Sequence, residues 1–281
     1  MSRTFCYTAL CLRVKPSGES NREAWFLGAE EGIFRATVFG GPRSKLRSNV
    51  APFNQGRIWI YHDPVKDSRK VTDFDVQSWR PGLRDFYERI MAADLLAETI
   101  LATHAGGGSW EISLKLAGNA LDCIENSDEK TGFRVLLHFL WEWTDFLGVR
   151  PDLSRCVCGA DIAGTSTIEA SAGESRAAGT SASQSPVDKV LLYDIGEGFL
   201  YCKKCKSRFA AGSNNGAGSS GITLGPGARN WLLNVENLDS KNALQYNPDN
   251  LSLRQIRNLI LGILTEALGR RLPLWDILEA I

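Results

Sequence analysis

The sequence predicts an α+β protein of more than one domain: a small five-stranded β-barrel at the N-terminus, then a helical domain interrupted by a cysteine-containing insert. Three observations carry this prediction. Five short aromatic and β-branched runs, separated by turn residues, fill the first eighty positions. After Pro81 the apolar spacing changes from alternation to a helical period. Two close cysteine pairs, Cys156/Cys158 and Cys202/Cys205, then appear beside stretches of Ser, Ala, Gly and Thr.

The strand-like runs are FCYTALCLRV, EAWFLGA, GIFRATVFG, RIWIYHD and KVTDFDVQSW, punctuated by PSGES, EEG and NQG. Five strands over this length fit a Greek-key barrel of the OB type, with an SH3-like barrel or plain sheet as the competing arrangement. Leu83, Phe86, Tyr87, Ile90, Met91 and Leu95 then recur at helical spacing up to the glycines at 106–108, and Pro81 suits a first helical turn. A second helix is expected over 110–125. A third is expected to be capped by Thr131 and ended by Gly148. Near the end, Leu253, Ile256, Leu259, Ile260, Ile263, Leu264 and Ala267 form one face of a long helix stopped by Gly269. The expected division is 1–80 for the barrel and 81–281 for the helical domain, with 154–221 as the insert.

Of the 25 residues 163–187, 18 are Ser, Ala, Gly or Thr, and 210–221 is similar. Neither stretch carries enough apolar surface to offset the entropy of ordering it, so both are expected to be mobile.

The whole chain of 281 residues holds 32 Lys plus Arg against 32 Asp plus Glu, so no overall field attracts a polyanion. Any such contact has to come from a local patch. No run of eighteen apolar residues occurs, and the apolar stretch near the start is short and followed at once by Arg13 and Lys15, so neither a membrane span nor a leader is expected. Seven cysteines in close pairs and an odd total fit a reducing compartment, the cytoplasm, with metal ligands instead of a disulfide framework.

Four thiolates can surround a zinc ion tetrahedrally and staple a segment that lacks a core of its own. Forty-three residues separate the two pairs, but without the 25 of the low-complexity stretch 18 remain, the interval of an ordinary zinc ribbon. The first pair is C-x-C, one residue short of the turn that usually aims both sulfurs. Two unrelated thiol pairs are the competing reading. Cys6, Cys11 and Cys123 sit in core-like patterns and are expected to be small buried residues.

From Ile33 to His62 there are five Arg or Lys (Arg35, Arg43, Lys45, Arg47, Arg57) and no acid. Such a segment on a barrel rim can neutralise phosphates, with Phe34, Phe39, Phe53 or Trp59 offering stacking surfaces, or it can be only a solvated face with its aromatics in the core. Arg270 and Arg271 either complement the end of the long helix or extend a phosphate-binding surface. His138 lies in an apolar helix, as a core histidine would. No G-x-S-x-G, Walker A, H-E-x-x-H or strand-linked G-x-G-x-x-G motif is present, so the sequence does not predict an enzyme.

Taken in order, five segments resemble the RecO family of bacterial recombination mediators: YTALCLRVKPSGESN, EEGIFRATVFGGPRSKLRSNVAPFNQG, FRVLLHFLWEWTDFLGVRPDLSRCVCG, LYDIGEGFLYCKKC and LRQIRNLILGILTEALGRRLP. The resemblance implies a non-catalytic DNA repair protein with an OB-fold and a zinc-finger-like insert. It implies binding of single- and double-stranded DNA, annealing of complementary strands and binding of the C-terminal tail of single-strand binding protein. It also implies action with RecR to help load RecA at coated gaps, in the cytoplasm and on the nucleoid. Carried over by position, Arg43, Lys45 and Arg47 fall in the basic barrel loop and Arg35 on the strand before it. Cys156, Cys158, Cys202 and Cys205 fall at the structural zinc ions' usual ligands. The chain differs from the family pattern in its C-x-C pair, its long insert and its LWDIL ending. A reading from another class is a protein-interaction adaptor that binds a partner tail through its helical domain and does not touch DNA. A third, a zinc hydrolase, needs an open coordination position.

Overall fold

β1 (Thr4–Ser17), β2 (Asn21–Gly28), β3 (Gly32–Val38), β4 (Gln55–Asp63) and β5 (Ser68–Ser78) close into a barrel in the order β1-β2-β3-β5-β4. The structure is a computed structural model and describes residues 3–41, 43–106, 109–160, 162, 190–212 and 221–280. All five strands lie where the alternating runs predict them. β1 is long enough to pair with β2 at one end and β4 at the other, and an irregularity between Cys11 and Arg13 bends it between the two ladders. The circuit closes where β3 and β5 meet in parallel at Thr37 and Lys70. Together with the short helix α1 (Lys45–Asn49) between β3 and β4, this is an OB-type barrel.

The barrel core is built by the inward half of each alternation. Phe26 stacks on Phe34 at 5.2 Å and meets Phe74 edge-on at 6.1 Å, with Ile58, Ile60 and Val71 around them. Gly56, between Ala9 on β1 and Val76 on β5, is required by close approach: a Cβ there would collide with the backbone carbonyl oxygen of Asp75. Strands cannot separate without breaking the ladder, so Gly56→Ala is expected to destabilise the barrel by about 3 kcal/mol. Urea unfolding of the variant checks this, and an unchanged midpoint would refute it.

A 3-10 turn (Pro81–Arg84) leads from the barrel into α2 (Tyr87–Ala102), α3 (Trp110–Glu125) and α4 (Glu129–Phe146), and the second of these helices has the predicted bounds. The cap of α4 differs from expectation. Asp128, not Thr131, is the N-cap, its carboxylate accepting the Thr131 N–H at 2.7 Å. Thr131 therefore sits in the first turn, and its hydrogen bonds hold the Asp128 carboxyl below the usual carboxylate range. A carboxylate is as good a cap as a hydroxyl and adds a favourable charge at the helix start. At the other end Gly148 takes φ 68°, as predicted, and Val149 N–H reaches back to the Thr144 carbonyl.

The remaining described elements are β6 (Leu191–Asp194), β7 (Phe199–Tyr201), α5 (Lys203–Gly212), β8 (Gly221–Leu224), α6 (Pro226–Val235), α7 (Ser240–Ala243), α8 (Asn250–Leu268) and α9 (Trp275–Ala280). Two compact units result. One comprises Met1–Val149, Val235–Tyr246 and Ala267–Ile281; the other comprises Arg150–Asn234 and Asn247–Glu266. In the first, α2, α3 and α4 pack together beside the barrel, with Trp141, Trp143 and Trp275 fully buried. In the second, β6, β7 and β8 form an antiparallel sheet of order β7-β6-β8, and α8 buries Ile256, Leu259, Ile260, Ile263 and Leu264. That small sheet was not among the predicted elements, because strands of three or four residues are too short to show an alternation. Gly269 ends α8 with φ 62°. The low-complexity stretch 163–187 lies outside the described residues, as does 213–220 of the second one. Among the described residues, no helix is long and apolar enough to cross a membrane.

Candidate metal centre and basic surface

The two cysteine pairs meet. The sulfurs of Cys156, Cys158, Cys202 and Cys205 all lie within 4.8 Å of one another, the one such group of potential metal ligands among the described residues. Ideal tetrahedral zinc–thiolate geometry, with bonds of about 2.3 Å, separates sulfurs by about 3.8 Å, so the donor set fits a metal with only small adjustments.

Local structure explains how a C-x-C manages this. The turn missing between the cysteines follows them: Gly159 takes φ 80°, its N–H bonds the Cys156 carbonyl at 2.8 Å, and Cys156 N–H bonds the Ala160 carbonyl at 3.0 Å. Between the cysteines, Val157 N–H bonds the Leu200 carbonyl at 2.9 Å and ties this knuckle to β7. Cys202 follows β7, and Cys205 lies three residues on in the first turn of α5, so both sulfurs share a face. The Cys202 N–H donates to Cys156 Sγ at 3.2 Å and joins the pairs directly.

The thiols are unequal. The Ala160 N–H, followed by the thiol of Cys156, lowers Cys158 to about 7, while Cys205, donating its S–H to Cys158, is pushed up to about 12. Burial raises Cys156. At Cys202 burial opposes ionisation, but N–H groups of Cys205 and Lys204 and the neighbouring thiols outweigh it. Protons are thus shared over four sulfurs that could bind a metal together. The reading as two unrelated pairs does not hold.

The barrel positions the basic residues on the β3–β4 connection. Arg43 and Lys45 are exposed and Arg47 is half-buried. Ser44 caps α1 by accepting the Arg47 N–H at 3.4 Å. The guanidinium of Arg47 donates to the Ser20 carbonyl at 3.2 Å, and Arg22 donates to the Arg47 carbonyl at 3.4 Å. Arg22, absent from the sequence reading, therefore joins the group. Its signal was invisible because it lies on β2, outside the acid-free segment. Arg35, on β3, is exposed but paired with Glu23 at 3.2 Å. Of the aromatics, Phe34 and Phe53 are core, while Phe39 is exposed with Lys70 at 5.2 Å over its ring, and half-buried Trp59 lies under Arg57.

No protein-family model matches the chain. The DNA repair protein RecO of Synechococcus elongatus is 27% identical to it over 158 residues, covering 56% of this chain and 59% of that protein. DNA repair protein RecO of Synechococcus sp. strain JA-3-3Ab is 26% identical over 181 residues, 60% of each chain. That of a Cyanothece species is 24% identical over 158 residues, 56% of this chain and 53% of that one. These matches support a RecO-family assignment. The chain matches about three fifths of the length of the first of these RecO proteins.

Cys11 is buried in the barrel, where burial drives its thiol up, and Cys123 is half-buried with its thiol raised for the same reason. Cys6 is exposed, contrary to expectation, because it takes the outward place on β1 between Phe5 and Tyr7, with an Arg57 nitrogen 3.6 Å away. His138 is buried beside Ser240, as a core histidine. Arg271 pairs with Asp276 at 2.9 Å, beyond the end of α8.

Proposed function

We propose that this protein is a recombination mediator in DNA repair. It binds single- and double-stranded DNA, anneals complementary strands and, with RecR, helps load RecA onto gaps coated by single-strand binding protein, whose C-terminal tail it also binds. One observation carries the reading: a closed OB-type barrel presents Arg43, Lys45 and Arg47 together on one short solvent-facing segment, in a chain whose relatives are named DNA repair protein RecO. The division of labour follows: 1–80 forms the nucleic-acid-binding barrel, 81–281 the helical domain and 154–221 its zinc-finger-like insert. Phosphate neutralisation by Arg43, Lys45, Arg47 and, more weakly, Arg35 gives affinity without base readout, which suits a protein that accepts any sequence. A positive surface under two strands reduces their repulsion and leaves base edges free to pair. The ion is structural Zn2+, since four thiolates leave a tetrahedral metal no open position for a reacting water, and the role is non-catalytic. The protein works in the cytoplasm, on the nucleoid.

The decisive experiment measures annealing of complementary oligonucleotides and the salt dependence of binding. Replacing Arg43, Lys45 and Arg47 together by Gln is expected to lower the slope of log K against log salt by about 2 on single strands. Binding that is absent at low salt, beside tight binding of a single-strand binding protein tail peptide, would instead select an adaptor that recognises a partner tail through its helical domain.

A further inference from the structure

Strand register aligns a set of side chains across the outside of the barrel. Trp25 on β2 lies opposite Arg35 on β3, and one pleat along, Glu23 lies opposite both Lys15 on β1 and Thr37 on β3. Thr37 in turn pairs with Lys70 on β5. The residues beside them in the chain, Ala24, Ala36, Val38 and Val71, are in the barrel core, so this set points outward on one face. Glu23 is the one acid that β2 and β3 present there, and Arg35 pairs with it at 3.2 Å. Arg13, opposite Trp25 on β1, lines a cavity with Asp94 of α2, so its charge is directed there.

Two aromatic rings on this face are covered by lysines and not by the core. Lys15 Nζ lies 5.6 Å from the centre of the Trp25 ring, and Lys70 Nζ lies 5.2 Å from that of Phe39. Trp25 is half-buried; Phe39, which follows the last residue of β3, is 45% exposed. Neither lysine forms an ion pair among the described residues. The four residues of extended chain from Arg35, opposite Trp25, to Phe39 span about 13 Å, so the rings are separate platforms.

We propose that Trp25 and Phe39, each with its lysine, are the base-stacking residues of this protein and make it favour unpaired over paired strands. Oligonucleotides lie across strands β2 and β3 of OB-type barrels in general, and this face has what an unpaired strand needs: a π-face for a base, with an ammonium beside it for the adjoining phosphate. In a duplex the base faces are already stacked on one another. Only phosphates remain, and the loop of Arg43, Lys45 and Arg47 can neutralise those on either form. The inference rests on the DNA-binding function proposed above and deepens it by assigning strand preference to residues outside that loop.

The competing explanation is that the lysine stems only shield two surface rings from water. Shielding would tie these residues to barrel stability alone. Stacking ties them to the form of the nucleic acid.

The test uses the full chain with a fluorescein-labelled thirty-nucleotide strand of mixed sequence, alone and annealed to its complement. The double variant Trp25→Leu, Phe39→Leu keeps an apolar side chain under each lysine. Its affinity for the single strand is expected to fall about tenfold, while duplex affinity changes by less than about twofold. The salt slope stays the same for both forms, because no charge is removed. An unchanged ratio of the two affinities would overturn the inference. Should the variant fail to fold, photocrosslinking of the wild-type chain to a strand carrying 5-iododeoxyuridine decides. Adducts on Trp25 or Phe39 with the single strand and not with the duplex support stacking, and adducts confined to other residues refute it. A variant that keeps its strand preference but loses binding of a single-strand binding protein tail peptide also refutes it, in favour of a protein contact. A wild-type chain that binds neither form at low salt removes the proposed function as well, whereas binding that the double variant leaves untouched removes only the stacking residues.

Discussion

Stripping the metal from zinc-loaded protein, or replacing Cys156 by Ser, is expected to melt the cysteine-bearing unit while the barrel unit stays folded. The knuckle around Cys156 and Cys158 is held by a few backbone hydrogen bonds, and the sheet it joins has strands of only three and four residues. Sheets this small are marginal without a staple. Zinc contributes on the order of 10 kcal/mol to comparable modules, so even partial coupling lowers the unit's thermal midpoint by more than about 10 °C. Cys156 is the most sensitive position because it is buried and its sulfur accepts the Cys202 N–H; Cys158, exposed at the rim, is expected to tolerate Ser better. Ligation needs thiolates, so binding expels the protons now shared among the sulfurs, including that of Cys205, which holds its proton to about 12. Loading is therefore tighter at pH 8 than at pH 6. Metal content near one per chain that falls in Cys156→Ser, with loss of cooperative melting in this unit alone, is the expected result. A metal-free chain that melts identically would refute it.

How much of this was legible in the sequence depends on the range of the interaction involved. The barrel strands were legible because their inward residues alternate with more exposed ones, as Ile58 and Ile60 do with Arg57, Trp59 and Tyr61, a pattern local to each strand. The sulfur cluster was legible as residue types, but the means by which a C-x-C aims two thiolates was not, since it depends on the left-handed Gly159 and on a hydrogen bond to Leu200 far along the chain. The cap of α4 was misplaced by three residues because Asp128 and Thr131 are both good capping types and only backbone geometry separates them. Cys6 was misjudged because an apolar residue type was read as core, although its place between Phe5 and Tyr7 puts it on the outward side of β1. The basic loop showed as charge, yet its tie to the β1–β2 turn through Arg47, Ser20 and Arg22 needed coordinates.

Arg80 gave no signal at all, and its removal is expected to be among the most destabilising substitutions in the barrel unit. It follows the last strand and precedes Pro81, where charge would ordinarily mean a solvated loop. Instead its side chain is only 2% exposed, against 55% for its partner Asp122. The guanidinium donates to Asp122 at 2.6 Å, to the Phe53 carbonyl at 2.8 Å, to Gln55 at 2.9 Å and to the Gly118 carbonyl at 3.4 Å. It thereby joins the β3–β4 connection, β4 and α3 through one planar fork, and the backbone accepts φ 46° to place it there. Replacing it by Met of similar length leaves the buried Phe53 carbonyl and the Gln55 amide oxygen without this donor, and the expected loss is about 3 kcal/mol. Arg80→Lys keeps the charge but reaches fewer acceptors from one point, so it is expected to recover only part of that loss. Asp122→Asn is expected to cost only about 1 kcal/mol, because water screens the exposed end of the pair. Arg80→Gly relieves the left-handed backbone yet loses every hydrogen bond, so it should lie near Met and not near wild type. Urea unfolding of the four variants tests the order Met and Gly worst, Lys between, Asp122→Asn mildest. If Asp122→Asn proved as damaging as Arg80→Met, the ion pair and not the bonds to Phe53 and Gln55 would account for the stabilisation that Arg80 gives.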